Sequence, residues 1–132
     1  MQVRTDIQKT DDPEELASML RALSVGHVCA AVEQLRRHVL PGLYDSGVRY
    51  RPEPGAGSGV EDFALPMTVL HRGYGDCDDL AIWRCAELCR AGQMALPKIY
   101  WRVREGRVRV YHAEVRILST GRVEDPSRLL GM

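Results

Sequence analysis

The chain has 132 residues, 45% of them hydrophobic and 27% charged, with 18 Lys and Arg balanced by 18 Asp and Glu. That length suits one domain able to bury about two-thirds of its extended surface, and the composition excludes an intrinsically disordered chain. Zero formal charge argues against a protein held to nucleic acid by bulk electrostatics, which needs a surplus of Lys and Arg.

No apolar run approaches the roughly 20 residues that span a bilayer, and Met1 to Asp12 holds no apolar stretch of the kind that directs secretion. A cytoplasmic protein without a membrane partner is expected. Asp12, Pro13 and Glu15 have the N-cap, first-turn proline and capping-box pattern of a helix start. Leu16, Met19, Leu20 and Leu23 recur at helical spacing, which predicts a helix from Pro13 to Ser24 that stops near Gly26. Val28, Ala31, Val32, Leu35 and Val39 predict a second helix from about His27 to Leu40, ended by Pro41-Gly42.

Residues 44–74 are expected to be loop. Tyr44 to Gly59 loses periodicity and gathers prolines and glycines, and Val60 to Tyr74 is irregular, with a short apolar patch of Met67, Val69 and Leu70. In Gly73-Tyr74-Gly75-Asp76-Cys77-Asp78-Asp79 the glycines allow a tight turn and Asp76 can cap a helix running to Ala91 and closed by Gly92. The apolar residues of 76–91 cover a wide arc, so this helix is expected to be buried.

Beyond Pro97 the period changes to two, predicting an antiparallel sheet over 98–125. Ile99, Trp101 and Val103 form one strand, and Glu105-Gly106 turns into a second that carries His112. Apolar positions switch from even to odd along that strand, which predicts either a bulge near His112 or burial of both faces there. A short strand near Gly121 to Glu124 leads to Asp125-Pro126. The whole is read as one α+β domain, residues 1–132.

The cysteines are Cys29, Cys77, Cys85 and Cys89. Three fall in one predicted helix in a reducing compartment, so free thiols are expected. A cysteine at a helix N-terminus feels unpaired N–H groups and the positive end of the helix dipole, which favour thiolate and single out Cys77. A thiolate nucleophile needs a base and a group that orients the base. His112, in mid-strand, and Asp125, at the end of the next strand, suit those two roles.

Gly75-Asp76-Cys77-Asp78-Asp79, His112-Ala113-Glu114-Val115 and Glu124-Asp125-Pro126 together resemble the transglutaminase-like superfamily, in particular its bacterial and phage-encoded cysteine peptidase branch. Tyr50, Glu61-Asp62-Phe63, Pro66 and Thr68-Val69-Leu70 resemble the segment that precedes the nucleophile helix there. The resemblance covers about residues 28 to 130. It implies a papain-like core, with N-terminal helices and a nucleophile-bearing helix packed on a small antiparallel sheet. It also implies a thiol-dependent amide hydrolase or acyltransferase acting on a protein or peptide through a thioester. Cys77 is then the nucleophile, His112 the general base and acid, and Asp125 the orienting carboxylate. The backbone N–H of Cys77 supplies one oxyanion donor, and Tyr74 is the candidate for the second. No cofactor and no metal are expected.

The family continues with further strands after the acidic residue, whereas seven residues follow Asp125 here. A three-stranded sheet with an open edge is expected, and a protein partner to cover it. The alternative function is a catalytically idle module of the same fold serving as a structural or assembly piece, for example in a phage virion. A zinc site of Cys77, Cys85, Cys89 and His112 is disfavoured by cysteine spacings of eight and four, and Asp76, Asp78 and Asp79 lack the rest of a calcium loop. Lys98 to Ile117 holds six basic residues against Glu105 and Glu114, a surface suited to an acidic partner or to ordinary solvation.

Overall fold

A computed structural model describes residues 2–6, 12–52, 60–104 and 108–132. The elements are β1 (Gln2–Asp6), α1 (Pro13–Arg37), a 3-10 turn (Leu43–Asp45), β2 (Arg49–Tyr50), β3 (Val60–Ala64), α2 (Pro66–Arg72), β4 (Tyr74–Gly75), α3 (Cys77–Arg90), β5 (Ala95–Arg104), β6 (Val108–Ile117), β7 (Val123–Glu124) and α4 (Pro126–Leu129). The α+β class follows from these elements. α1 and α3 pack on each other and against the sheet β5-β6-β7. The core between them includes Leu20, Val28, Leu80, Trp83, Ile99 and Val115.

The two N-terminal helices expected over 13–40 are one. α1 runs unbroken for 25 residues past Gly26, and the C-cap is His38. Gly26 lacks the left-handed φ that marks a glycine stop, and a Cβ built on it meets nothing within 4 Å. A single exposed glycine costs a helix about 1 kcal/mol, less than the packing of Ala17, Leu20, Val28 and Ala31 on either side returns. The last turn is closed from outside, where Arg90 donates to the Leu35 carbonyl at 2.6 Å. α1 is also long and apolar enough to cross a membrane by length and composition, contrary to the sequence expectation that no segment approaches this, although in this fold it packs on α3 and β5.

Residues 44–74 are not all loop. They contain most of the 3-10 turn, β2, β3, α2 and part of β4, while 53–59 lie outside the described residues. β3 pairs antiparallel with β1 from Gln2↔Ala64 to Asp6↔Val60, and β2 pairs in parallel with β4. Pro66 occupies the first turn of α2, and its N-terminal Met67 N–H is bonded at 2.8 Å by Gln34 of α1. The Leu43 N–H is likewise bonded, at 2.6 Å, by Glu87 of α3. Partners this distant in sequence leave no local capping signal.

β5 and β6 pair in an uninterrupted register from Ala95↔Ile117 to Arg104↔Val108, so there is no bulge at His112. Both faces are covered there instead, with His112 3% and Ala113 0% exposed. β7 pairs only with Val115 and Arg116. The expected turn at Glu105-Gly106 lies outside the described residues.

Candidate functional site

Gly73 and Gly75 set up the start of α3. Gly73 closes α2 with φ +84°, a left-handed conformation that disfavours side chains. A Cβ on Gly75 would lie 3.1 Å from Asp79 Cβ and Leu80 Cδ2 and 3.2 Å from Val69, so any larger residue would have to push these neighbours back by a few tenths of an ångström. Asp76 and Asp79 then form a reciprocal capping box, with the Asp79 N–H donating to Asp76 at 3.1 Å and the Asp76 N–H to Asp79 at 3.2 Å.

Asp79 is buried and takes two further donors, the Ala64 N–H at 2.8 Å and the Arg72 guanidinium at 2.6 Å. Burial, and then the neighbouring Asp76 carboxylate, push its pKa well above the ordinary range, against the pull of these donors. Its carboxylate thus joins β3, α2 and α3 at one point.

Cys77 is the first residue of α3 and is half-buried against the core. Asp78 beside it is buried and accepts a short hydrogen bond from the Tyr111 hydroxyl of β6. The carboxylates flanking Cys77 are therefore engaged with caps, a guanidinium or a phenol, which limits their opposition to a thiolate. The four cysteines are free thiols. Burial pushes the Cys85 thiol up, and Cys89 donates to the Ala95 carbonyl at 3.5 Å.

Strand alternation places Tyr111, Ala113 and Val115 on the face toward α3, and His112 and Glu114 on the other. Asp125 follows β7 and caps α4, accepting the Arg128 N–H at 3.2 Å on Oδ1. Its Oδ2 lies 2.9 Å from His112 Nε2. A carboxylate acceptor there assigns the hydrogen to Nε2, which leaves Nδ1 with the lone pair. The Tyr100 ring stands edge-on to the imidazole at 5.9 Å, and the Tyr100 hydroxyl donates to Glu114 at 2.6 Å.

The structure brings His112 and Asp125 into direct contact. Cys77 and His112 are the immediate chain neighbours of Asp78 and Tyr111, the bonded pair that ties α3 to β6. Tyr74 lies in β4, and the Arg51 and Arg72 guanidiniums each stack over its ring, at 4.5 and 4.6 Å. Glu114, quoted in the sequence only as part of the strand motif, lies beside His112 and Asp125. Its signal was the His-x-Glu spacing, which puts both side chains on one strand face.

A depression of about 480 Å³ adjoins Asp125 and is lined by Tyr44, Arg84, Glu124 and Arg128 among others. Arg84 spans Glu124 at 2.7 Å and Glu87 at 3.1 Å, and its bond holds the Glu124 carboxyl below its ordinary range. No family model, curated protein or solved structure matches the chain.

Proposed function

We propose that the chain is a thiol-dependent amide hydrolase or acyltransferase with a transglutaminase-like, papain-like core, acting on a protein or peptide. The observation that carries this reading is the part-buried His112–Asp125 pair at 2.9 Å, with His112 in the strand tied to the helix that begins with Cys77.

The proposed chemistry requires the imidazole, on the face of β6 opposite Tyr111, to reach Cys77 at the start of α3; Nδ1 of His112 then takes the Cys77 thiol proton, and the thiolate attacks the amide carbonyl carbon. Asp125 keeps the Nε2 hydrogen in place and stabilises the imidazolium. The Cys77 N–H, in the first turn of α3, donates to the oxyanion. Nδ1 then returns its proton to the leaving nitrogen, the C–N bond breaks and a thioester forms. Water or a second amine, deprotonated by Nδ1, attacks the thioester and releases Cys77.

β6 has ten residues but β7 pairs only two of them, so Val108–Glu114 lacks a strand partner on that side among the described residues. An extended substrate segment or a protein partner suits that edge.

The test is iodoacetamide labelling of the full chain at neutral pH, resolved by peptide mapping. Cys77 is expected to react fastest, ahead of exposed Cys29, and His112→Ala is expected to slow Cys77 at least tenfold while Cys29 keeps its rate. Labelling of Cys77 no faster than Cys29, or unchanged in His112→Ala, overturns the reading.

A further inference from the structure

β6 sets Glu114 two residues after His112 on the same strand face, and the chain leaving β7 brings Asp125 alongside both. One ligand atom from each of the three lies within 4.8 Å of the others. The side chains are sheltered, at 4% exposure for His112, 14% for Glu114 and 16% for Asp125.

An imidazole nitrogen with two carboxylates is a donor set for a borderline divalent cation such as zinc, and the two negative charges match its charge. The 2.9 Å between His112 Nε2 and Asp125 Oδ2 is close to the separation of about 3.0–3.4 Å between adjacent ligand atoms when metal–ligand bonds are about 2.0–2.1 Å. Tyr100 holds one Glu114 oxygen at 2.6 Å, the kind of outer partner that orients a ligating carboxylate. The opposing charges sit at the rim: Lys98 at 4.0 Å from Glu114 and Arg128 at 3.9 Å from Asp125, on side chains 46% and 69% exposed that can turn to solvent.

We infer that His112, Glu114 and Asp125 form a site for a divalent cation of the zinc class, and that its occupancy shuts off His112 as a base. The cation takes the Nε2 lone pair. In the neutral ring the Nε2 hydrogen is replaced and Nδ1 becomes protonated; an imidazolium instead releases one proton to solvent. Either way Nδ1 carries a hydrogen and cannot accept the proton of Cys77. Binding of the cation stands by itself, and only the effect on Cys77 rests on the proposed thiol function.

Titration of the full chain with cobalt(II), followed by zinc competition, tests the site. One equivalent is expected, with visible d–d bands and no thiolate-to-cobalt charge-transfer band, and zinc displaces the cobalt. Cys77→Ser should bind within twofold of the parent. His112→Ala and the near-isosteric Glu114→Gln should weaken binding by about tenfold or more, with folding of each checked by circular dichroism. Absence of saturable binding, a thiolate band lost in Cys77→Ser, or unchanged affinity in folded Glu114→Gln overturns the site. Saturating zinc should also slow Cys77 alkylation at least tenfold in the parent but not in Glu114→Gln. Alkylation that ignores zinc while cobalt binds overturns the shut-off.

Discussion

α1 and α3 lie against each other, yet the two helices carry different kinds of residue. α1 spends 25 residues on one apolar stripe and leaves much of its surface in water. α3 has 14 residues, nine of them buried, and two of those nine are carboxylates in its first turn. Cys29 on α1 is exposed, Cys85 on α3 is sealed in the core, and Cys77 sits between these extremes at a helix start. Exposure in mid-helix, burial that pushes the thiol pKa up, and partial exposure at a helix start are three environments for one side chain. The comparison teaches that the polar end of α3 is built at a cost in buried charge that α1 never meets.

The largest stability effect is therefore expected at Asp79. Asp79→Ala removes the acceptor for the Ala64 and Asp76 N–H groups and for Arg72 at once. Breaking a buried ion pair by deleting one partner costs about 3–5 kcal/mol, and urea denaturation should read a loss in that range. A loss under about 1 kcal/mol would mean that α3 starts no differently from α1.

Next comes the flank of α3. Glu124 is held by Arg84 below the ordinary carboxylate range, so its contribution is present above the unfolded value of about 4.3 and is lost as pH falls through the lower folded value. Glu124→Gln should cost about 1–3 kcal/mol at pH 7, the size of a hydrogen bond to a charged group. The gap between parent and variant in urea midpoint should narrow as the pH is taken below about 4. A gap that stays constant down to pH 3 would remove Arg84 from the account.

Where capping was local, the sequence was readable. Asp76 and Asp79 stand three apart and Gly92 follows with φ +88°, so the limits of α3 and the position of Cys77 were legible. His112 and Asp125 were legible as candidates because strand alternation and an Asp-Pro turn are short-range signals. α2 was not, because its capping acceptor is Gln34 on α1, and neither was β1, because its partner β3 lies more than fifty residues away. Glu114 was given no role of its own because a lone acidic residue on a basic strand reads as a solvated counter-charge until Tyr100 is placed beside it.

The smallest effect belongs to α1 and bears on the point where sequence and structure part. If the chain broke at Gly26 with a left-handed φ, an alanine there would be strained and destabilising. In the continuous helix Gly26 is exposed and has open space where a Cβ would go. Gly26→Ala should then stabilise by about 0.5–1 kcal/mol, because alanine loses less backbone entropy on entering a helix. Its urea midpoint should rise with an unchanged slope. A fall would restore the two-helix reading of residues 13–40.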